Sequence, residues 1–285
     1  MSPDQNSFYK AFEDQHRGSR ELIKSRLAVY LPFIKKVQEV HPNATALDLG
    51  CGRGEWLELL QDNQLSASGI DQDDGMLSAC RSRGLNVQTS DAIAHLKSLP
   101  NDSLSIVSGF HIAEHLSLED LQTLIKEALR ILKPAGLLIL EAPNTENLVV
   151  GTSSFYLDPT HQRPLPSALL SFLASHLGFA RVKTLGVQES IPLREEHGPV
   201  SLFAVLSGVS PDYAVIAQKA AEPKLMQAFE IVFSQEYGLT LEMLANRYQE
   251  RFDAMERKTQ LLEARLSRIW KLLEPFKWAK SLFKK

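Results

Sequence analysis

A glycine-rich turn between an apolar strand and an apolar helix constrains this chain more than any other stretch. In ALDLGCGRGEWLELL, an apolar run reaches Asp48 and Leu49, glycines follow at positions 50, 52 and 54, and a helical pattern begins at once. Glycines permit a tight turn whose backbone approaches a ligand closely, and the N-terminus of the following helix offers free N–H groups. The stretch therefore predicts a strand–turn–helix unit that binds a ligand.

The pattern around this unit predicts the fold class. From residue 45 to about residue 209, short apolar runs alternate with helical patterns, which is typical of a doubly wound parallel sheet. Seven strands are predicted, at 45–50, 66–71, 86–91, 104–110, 136–143, 179–187 and 200–208. The last two are joined by about a dozen residues, too few for a packed crossover helix, so they should be antiparallel neighbours. We therefore predict an α/β fold with a mostly parallel seven-stranded sheet and an antiparallel last strand.

Helical segments precede and follow the predicted sheet. We predict an N-terminal helical cap over 1–44, the sheet domain over 45–210, a helical region over 211–274 and a basic amphipathic tail over 275–285. Within the helical region, apolar side chains recur at heptad spacing, which favours a short coiled coil that ends at Pro275. The heptad positions are Phe252, Met255, Thr259, Leu262, Leu266, Ile269 and Leu273. A homo-oligomer formed through this helix is expected.

Composition excludes several function classes. A formal net charge of −3 does not indicate a nucleic-acid-binding protein. The two cysteines, Cys51 and Cys80, cannot form a disulfide framework or a four-cysteine zinc site. The sequence shows no membrane-spanning run and no secretory signal, so we expect a cytoplasmic protein. The tail FKWAKSLFKK mixes aromatic and lysine residues and predicts contact with the inner-membrane surface, with packing on the preceding helix or on a partner chain as the alternative.

The spacing of the glycines discriminates between ligands. A dinucleotide fingerprint requires glycine where this chain has Glu55. The pattern D-x-G-x-G-x-G instead resembles motif I of the class I S-adenosylmethionine (SAM) methyltransferases. The resemblance implies SAM as the cofactor and a binding site that includes Asp48, Gly50, Cys51, Gly52 and Gly54. We interpret Cys51 as a small space filler and not as a catalytic thiol.

Residues at later strand ends agree with that resemblance. Asp71 ends the second predicted strand, where its carboxylate can accept hydrogen bonds from both ribose hydroxyls. Asp91 and Ala92 follow the third strand, where the family contacts the adenine, although helix capping is the alternative role for Asp91. Phe110 ends the fourth predicted strand and is assigned to the cofactor site as well.

The segment HIAEHL follows the fourth strand and contains His111, Glu114 and His115. Alone, H-x-x-E-H matches an inverted zinc-peptidase pattern. That pattern belongs inside a helix, whereas this segment lies at the carboxyl edge of a sheet, where ligands bind. We predict no metal and assign the three residues to the place where methyl acceptor and SAM meet, because histidine suits proton transfer from a hydroxyl. A zinc hydrolase is the alternative.

A loop of more than twenty residues follows the fifth strand, APNTENLVVGTSSFYLDPTHQRPLP. Long loops in compact domains are usually functional. We assign Tyr156, Asp158 and Arg163 to the acceptor pocket and treat His161 as a rival for the catalytic base. Arg163 would suit a phosphate or carboxylate. A purely structural lid is the alternative.

Four segments together support a narrower resemblance. HRGSRELIKSRLAVYLPFI, ALDLGCGRGEWLELL, HIAEHL and ENLVVGTSSFYLDPTHQRPLP resemble the methyltransferase part of bacterial O-antigen chain-terminating proteins, over roughly residues 8 to 210. The resemblance implies methylation of the terminal sugar of a surface polysaccharide, or of a phosphate on that sugar. No kinase motif follows residue 210, so another protein would have to supply the phosphate. A small-molecule or lipid O-methyltransferase of the quinone-precursor type and a non-catalytic scaffold are alternatives.

Overall fold

The computed structural model describes residues 18–195 and 198–282, with residues 273–282 described by their helical backbone alone. Within this part of the chain, seven strands form one sheet in the order β3-β2-β1-β4-β5-β7-β6. The strands are β1 (Thr45–Leu49), β2 (Ser66–Asp71), β3 (Val87–Thr89), β4 (Leu104–Phe110), β5 (Leu132–Pro143), β6 (Arg181–Val187) and β7 (Asp212–Gln218). β1 to β5 pair in parallel, and β7 is antiparallel to β5 and β6. The predicted fold class is confirmed.

Helices cover both faces of the sheet. They are α1 (Arg20–Leu27), α2 (Leu31–Val40), α3 (Glu55–Asp62), α4 (Asp74–Ser82), α5 (Ala92–Ser98), α6 (Leu118–Ile131), α7 (Leu148–Thr152), α8 (Ser167–His176), α9 (Ile191–Glu195), α10 (Leu202–Ser207), α11 (Pro223–Gln227), α12 (Glu230–Ser234) and α13 (Leu241–Leu282). In β5, Leu137 and Ile139 pack in the core with α1 to α3, whereas Leu138 and Leu140 pack in the core with α5, α6 and α8. Both faces of the strand are apolar because both are buried.

The predicted seventh strand, 200–208, is wrong. Residues 202 to 207 form helix α10, which begins after Ser201, whose Oγ accepts the Ala204 N–H at 3.1 Å. The last strand is instead β7, so the sheet extends past the predicted boundary at residue 210. A short apolar run fits a strand or a buried helix equally well, and here the capping serine decides for the helix.

Strand register brings several chain segments to one edge of the sheet. Leu49 pairs with Gly109, and Phe110 pairs with Glu141. Asp212 pairs with both Pro143 and Val187, at the first residue of β7. Because β7 is antiparallel, its beginning lies beside the carboxyl ends of β5 and β6. β1 and β4 are neighbours at the point where the strand order reverses, and open α/β sheets bind ligands in the crevice there.

The long helix α13 continues through Pro275, which was predicted to end it. A proline removes one backbone hydrogen bond and costs a helix about 3 kcal/mol, but residues on both sides can still be helical. At its beginning, Leu244 is buried with Val200, Val205 and Leu239. Among the described residues, no helix combines the length and apolar character needed to cross a membrane. The side chains from Leu273 onward, including the predicted membrane-binding tail, lie outside the described residues.

Candidate active site

The glycine-rich turn lies at the carboxyl end of β1 with an unusual backbone. Gly50, Gly52 and Gly54 have positive φ angles of 66°, 50° and 79°. A Cβ on Gly54 would lie only 2.6 Å from Leu85 Cδ1, so a side chain has no room there. A Cβ on Gly50 would lie 3.5 Å from Ile112 Cδ1, which places the turn directly beside the HIAEHL segment. The conformation requires glycine because side chains disfavour positive φ.

Asp71 bonds directly to this turn, and Asp48 lies on the strand that precedes it. Asp71 Oδ2 accepts the Gly52 N–H at 2.9 Å, and its Oδ1 accepts the Asp73 N–H at 2.9 Å. Each carboxylate oxygen retains a further lone pair, so Asp71 can still accept hydrogen bonds from a ligand. Asp48 is buried and accepts from Ser108 Oγ at 2.7 Å, which links β1 to β4.

Asp91 has the capping role that was its alternative interpretation. Its Oδ1 accepts the Ala94 N–H of α5 at 2.9 Å, and its Oδ2 accepts from Gln72 Nε2 at 3.0 Å. Ala92 is the first residue of α5. A contact between these two residues and an adenine stays a prediction.

Cys51 and Phe110 are both packed against apolar or aromatic neighbours. Cys51 is buried with Leu57 and Leu77, and burial raises the pKa of its thiol, which disfavours a reactive thiolate. The Phe110 ring lies 5.5 Å from the ring of Tyr30 and 5.3 Å from that of Trp56, measured between centroids.

The N-terminal helix also supports the turn, which the sequence did not predict. Arg20 Nη1 donates to the Arg53 carbonyl at 2.9 Å and to Glu55 Oε1 at 3.3 Å. Glu55 is buried, and Arg53 Nε lies 2.9 Å from the same oxygen. The basic character of α1 was the only signal, and it did not identify a partner.

The HIAEHL segment does not form the helix that a zinc peptidase requires. His111 has a left-handed backbone with φ of 55°, and its N–H donates to the Glu141 carbonyl at 3.0 Å. Only Ala113–His115 form a short 3-10 turn. The two histidines therefore do not lie one turn apart on an α-helix, and the inverted zinc-peptidase geometry is absent from this segment.

Carboxylates surround His111. Its Nδ1 lies 3.2 Å from Glu114 Oε1, and its Nε2 lies 3.6 Å from Glu141 Oε1. Three side chains, those of His111, Glu141 and Asp212, each place one nitrogen or oxygen atom within 4.8 Å of the other two. Burial lowers the pKa of His111, but Asp212, Glu114 and Glu141 outweigh it and raise the pKa well above its ordinary value. Burial and the neighbouring glutamates raise the pKa of Asp212, against the opposing effect of His111.

Glu141 is at the centre of a network that the sequence analysis missed. Its side chain is buried and accepts hydrogen bonds from the Tyr30 hydroxyl and from Gln188 Nε2, the latter at 2.6 Å. A single acidic residue within the apolar run LLILEAP was a usable signal for Glu141. Asp212 was missed because the last strand was misplaced, and Tyr30 carried no sequence signal at all.

The long loop adds a second cluster beside the first. His161 Nδ1 donates to the Phe155 carbonyl at 2.6 Å, and its Nε2 lies 4.0 Å from Glu114 Oε1 and 3.9 Å from Asp158 Oδ2. The Gln162 N–H donates to the Glu114 carbonyl at 2.9 Å, which ties the loop to the HIAEHL segment. The structure thus brings together all four residues predicted to be catalytic.

Two of the three predicted acceptor-binding residues lie on the loop surface. Tyr156 is 63% exposed and Arg163 is exposed, whereas Asp158 belongs to the cluster. Asp158 Oδ1 accepts from Thr160 Oγ1 at 2.6 Å, and Thr160 Oγ1 lies 3.0 Å from His115 Nδ1. Contacts of Tyr156 and Arg163 with an acceptor stay predictions.

Comparison with a solved structure decides the family. A SAM-dependent methyltransferase from Archaeoglobus fulgidus is 34% identical and superposes with a TM-score of 0.65, over 74% of this chain and 100% of that one. The chain belongs to the SAM-dependent methyltransferases. A family model described as a methyltransferase domain matches residues 46–136, which include β2 to β4, the glycine turn and all of β1 except its first residue.

Two curated relatives agree with this assignment. This methyltransferase is 31% identical over 149 residues to a probable SAM-dependent methyltransferase of Mycolicibacterium smegmatis, covering 52% of this chain and 57% of that protein. It is 29% identical over 161 residues to another from Mycobacterium tuberculosis, covering 55% of this chain and 58% of that protein. The chain thus spans little more than half the length of these relatives.

The residues of this methyltransferase fit SAM, the cofactor of the family. Three alternate positive-φ glycines leave the backbone of the turn open to a ligand, next to the N-terminus of α3. Asp71 offers the remaining lone pairs of a carboxylate at the end of β2, which suits ribose hydroxyls. Because Ile112 lies beside the turn, SAM bound at the turn would lie next to the cluster of histidines and carboxylates.

Proposed function

We propose that this chain is an O-methyltransferase that methylates a hydroxyl of the terminal sugar of a bacterial surface polysaccharide and thereby caps the chain. One observation carries the proposal. The edge of the sheet beside the glycine turn concentrates carboxylates, which accept hydrogen bonds, and imidazoles, which can donate or accept them. A sugar supplies the hydroxyl donors that such an edge can bind.

The charge of this edge favours a neutral hydroxyl over a phosphate. Four carboxyl side chains lie around the two histidine clusters: Glu114, Glu141, Asp158 and Asp212. A phosphate among them would experience Coulomb repulsion. Arg163, the residue that suited a phosphate, is exposed on the loop.

SAM, when bound, supplies an electrophilic methyl group. The acceptor hydroxyl must lose its proton as its oxygen attacks, and a neutral imidazole nitrogen is a suitable proton acceptor near pH 7. His161 is oriented for this task because its Nδ1–H is donated to the Phe155 carbonyl and its Nε2 lone pair is left available. Once protonated, Nε2 would be stabilised by Glu114 and Asp158 at about 4 Å.

A lipid or quinone-precursor acceptor is a second candidate. The loop that carries His161 exposes several apolar side chains, namely Leu148, Val149, Tyr156 and Leu157. Phe155, within the same stretch, contacts the His161 ring with centroids 4.5 Å apart. An apolar rim beside a hydroxyl-binding cluster would also suit a phenol on a lipid chain.

The proposed partner is a second copy of the chain, bound through α13. Along this helix the heptad residues Phe252, Met255, Leu262, Leu266 and Ile269 are 50–56% exposed. A seam of this kind buries its apolar side chains when two copies pair. We place the protein in the cytoplasm, with the tail at the inner-membrane surface. Two tails per dimer would strengthen a membrane contact that is weak for a single tail.

Acceptor preference tests the function. The purified full chain would be incubated with SAM and with neutral oligosaccharides, their terminally phosphorylated forms or hydrophobic phenols, while S-adenosylhomocysteine is measured. We expect turnover with a neutral oligosaccharide, and His161→Gln should lower kcat about 100-fold. Turnover restricted to phosphorylated sugars would contradict the hydroxyl proposal, and turnover restricted to phenols would support the second candidate.

Light scattering tests the proposed dimer. Leu262→Glu places a charge in the seam and should shift the mass of the protein to that of a monomer. Leu261→Glu is the matched control, since Leu261 is also exposed but lies off the heptad positions. Equal masses for wild type and Leu262→Glu would rule out pairing through this seam.

A further inference from the structure

We infer that Glu114, His115 and His161 form a binding site for one divalent transition-metal cation. One potential ligand atom from each of these residues lies within 4.8 Å of the other two. Two imidazoles and one carboxylate are a ligand set that suits zinc and its neighbours in the first transition series. The residues come from two chain segments, since His161 lies 46 positions after His115.

His161 offers a lone pair toward this position. Its Nδ1 lies 2.6 Å from the Phe155 carbonyl oxygen, which can only accept, so Nδ1 carries the proton. Nε2 is therefore unprotonated in the neutral ring, and it lies 4.0 Å from Glu114 Oε1. Metal-binding histidines are commonly held in this manner, with the other ring nitrogen donating to a carbonyl or carboxylate.

His115 is oriented by a similar chain of hydrogen bonds. Thr160 Oγ1 donates its proton to Asp158 Oδ1 at 2.6 Å. It can therefore only accept a hydrogen bond from His115 Nδ1, which lies 3.0 Å away. His115 Nδ1 thus carries the proton, and Nε2 is the nitrogen with the free lone pair. Asp158 acts here through Thr160, as an orienting carboxylate behind a ligand.

Glu114 supplies an independent indication that this position binds a cation. Its carboxylate is buried, and Oε2 has no hydrogen-bond partner among the described residues. A buried carboxylate oxygen without a donor costs free energy. The available nitrogens of His115 and His161 are acceptors and cannot satisfy Oε2, whereas a cation that the carboxylate binds through both oxygens would satisfy it.

The other trio, His111, Glu141 and Asp212, is a weaker candidate. Both Glu141 oxygens already accept hydrogen bonds, one from Tyr30 and one from Gln188. This trio therefore serves as an internal comparison for the proposed site.

The metal's role in catalysis rests on the proposed function. Three protein ligands leave coordination positions open, and an acceptor hydroxyl in one of them would have a lowered pKa. The proton lost on coordination would pass to solvent water. His161 Nε2 has one lone pair, so it would act as a ligand in the metal-loaded protein and as the base only in the metal-free protein. Metal binding itself is independent of the identity of the acceptor.

Equilibrium dialysis against Zn²⁺ tests the site directly. The full chain, without an affinity tag and first treated with a chelator, should bind one Zn²⁺ tightly, and His115→Gln or His161→Gln should each weaken binding at least about 10-fold. His176→Gln, an exposed histidine on α8, is the matched control and should bind normally. Asp212→Asn should also retain binding.

The outcomes separate the metal site from the proposed function. Zn²⁺ binding that is unaffected by His115→Gln and His161→Gln, or that is lost in Asp212→Asn alone, would overturn the site. Methyl transfer that persists at full rate after chelation would overturn the metal's role in catalysis while leaving the O-methyltransferase proposal intact. One bound Zn²⁺ without turnover on any hydroxyl acceptor would support the site and remove the proposed function.

Discussion

The two sides of the candidate active site are built in opposite ways. The cofactor side is a turn of consecutive residues whose backbone shape is fixed by three glycines and by bonds to Asp71. The acceptor side is a set of side chains from the segment after β4, from β5 and β7, from the residues between α1 and α2, and from the long loop, joined through Glu114 and Glu141. A local turn can be shared by a whole family, while a cluster of distant side chains can be changed piece by piece to suit a new acceptor.

The largest expected effect lies on the cofactor side. Asp71→Ala should weaken SAM binding about 100-fold or more, because it removes hydrogen bonds to a charged carboxylate worth about 1.5–3 kcal/mol each. Isothermal titration calorimetry with SAM and S-adenosylhomocysteine would measure the change. In Asp91→Ala the affinity should fall less than about 5-fold, since Asp91 mainly caps α5. Equal losses in the two variants would show that SAM binding is not concentrated at Asp71.

On the acceptor side, Glu141→Gln should separate catalysis from cofactor binding. Glutamine has the same shape but no charge, so it weakens the orientation of His111, and kcat should fall about 10-fold. The dissociation constant for SAM should be unchanged. Glu119→Gln, at an exposed position on α6, provides the control. A parallel loss of SAM affinity in Glu141→Gln would mean that the two sides are not independent.

A smaller effect is expected where the N-terminal helix meets the turn. Arg20→Ala removes the hydrogen bond to the Arg53 carbonyl and the contact with buried Glu55, and should weaken SAM binding about 5-fold, or about 1 kcal/mol. Lys24→Ala removes only exposed ion pairs to Glu58 and Asp62 and should change little. Calorimetry on both variants measures the difference. An Arg20→Ala protein with wild-type affinity would show that the turn keeps its shape without α1.

The smallest effect concerns a region outside both sides of the site. Ser201→Ala removes the cap of α10 and should lower the free energy of unfolding by about 1 kcal/mol. Affinity for SAM should not change. Chemical denaturation followed by circular dichroism would detect the loss. Loss of SAM binding in this variant would show that α10 contributes to the cofactor side and does not lie outside the site.

The sequence determined the fold class, the cofactor turn and six of the seven strands. These features depend on neighbours in the chain: three alternate glycines set a backbone conformation, and alternating apolar runs set the sheet. The position of the last strand could not be read, because VSLFAVLSG suits a strand as well as a helix.

Only the tertiary structure decided how the acceptor side is assembled. The sequence selected His111, Glu114, His115 and His161, but it did not show that Glu114 lies next to both His111 and His161. Tyr30, Gln188 and Asp212 join the same edge from positions far apart in the chain. Their proximity depends on strand order and on the antiparallel direction of β7, which are properties of the packed sheet and not of any local stretch.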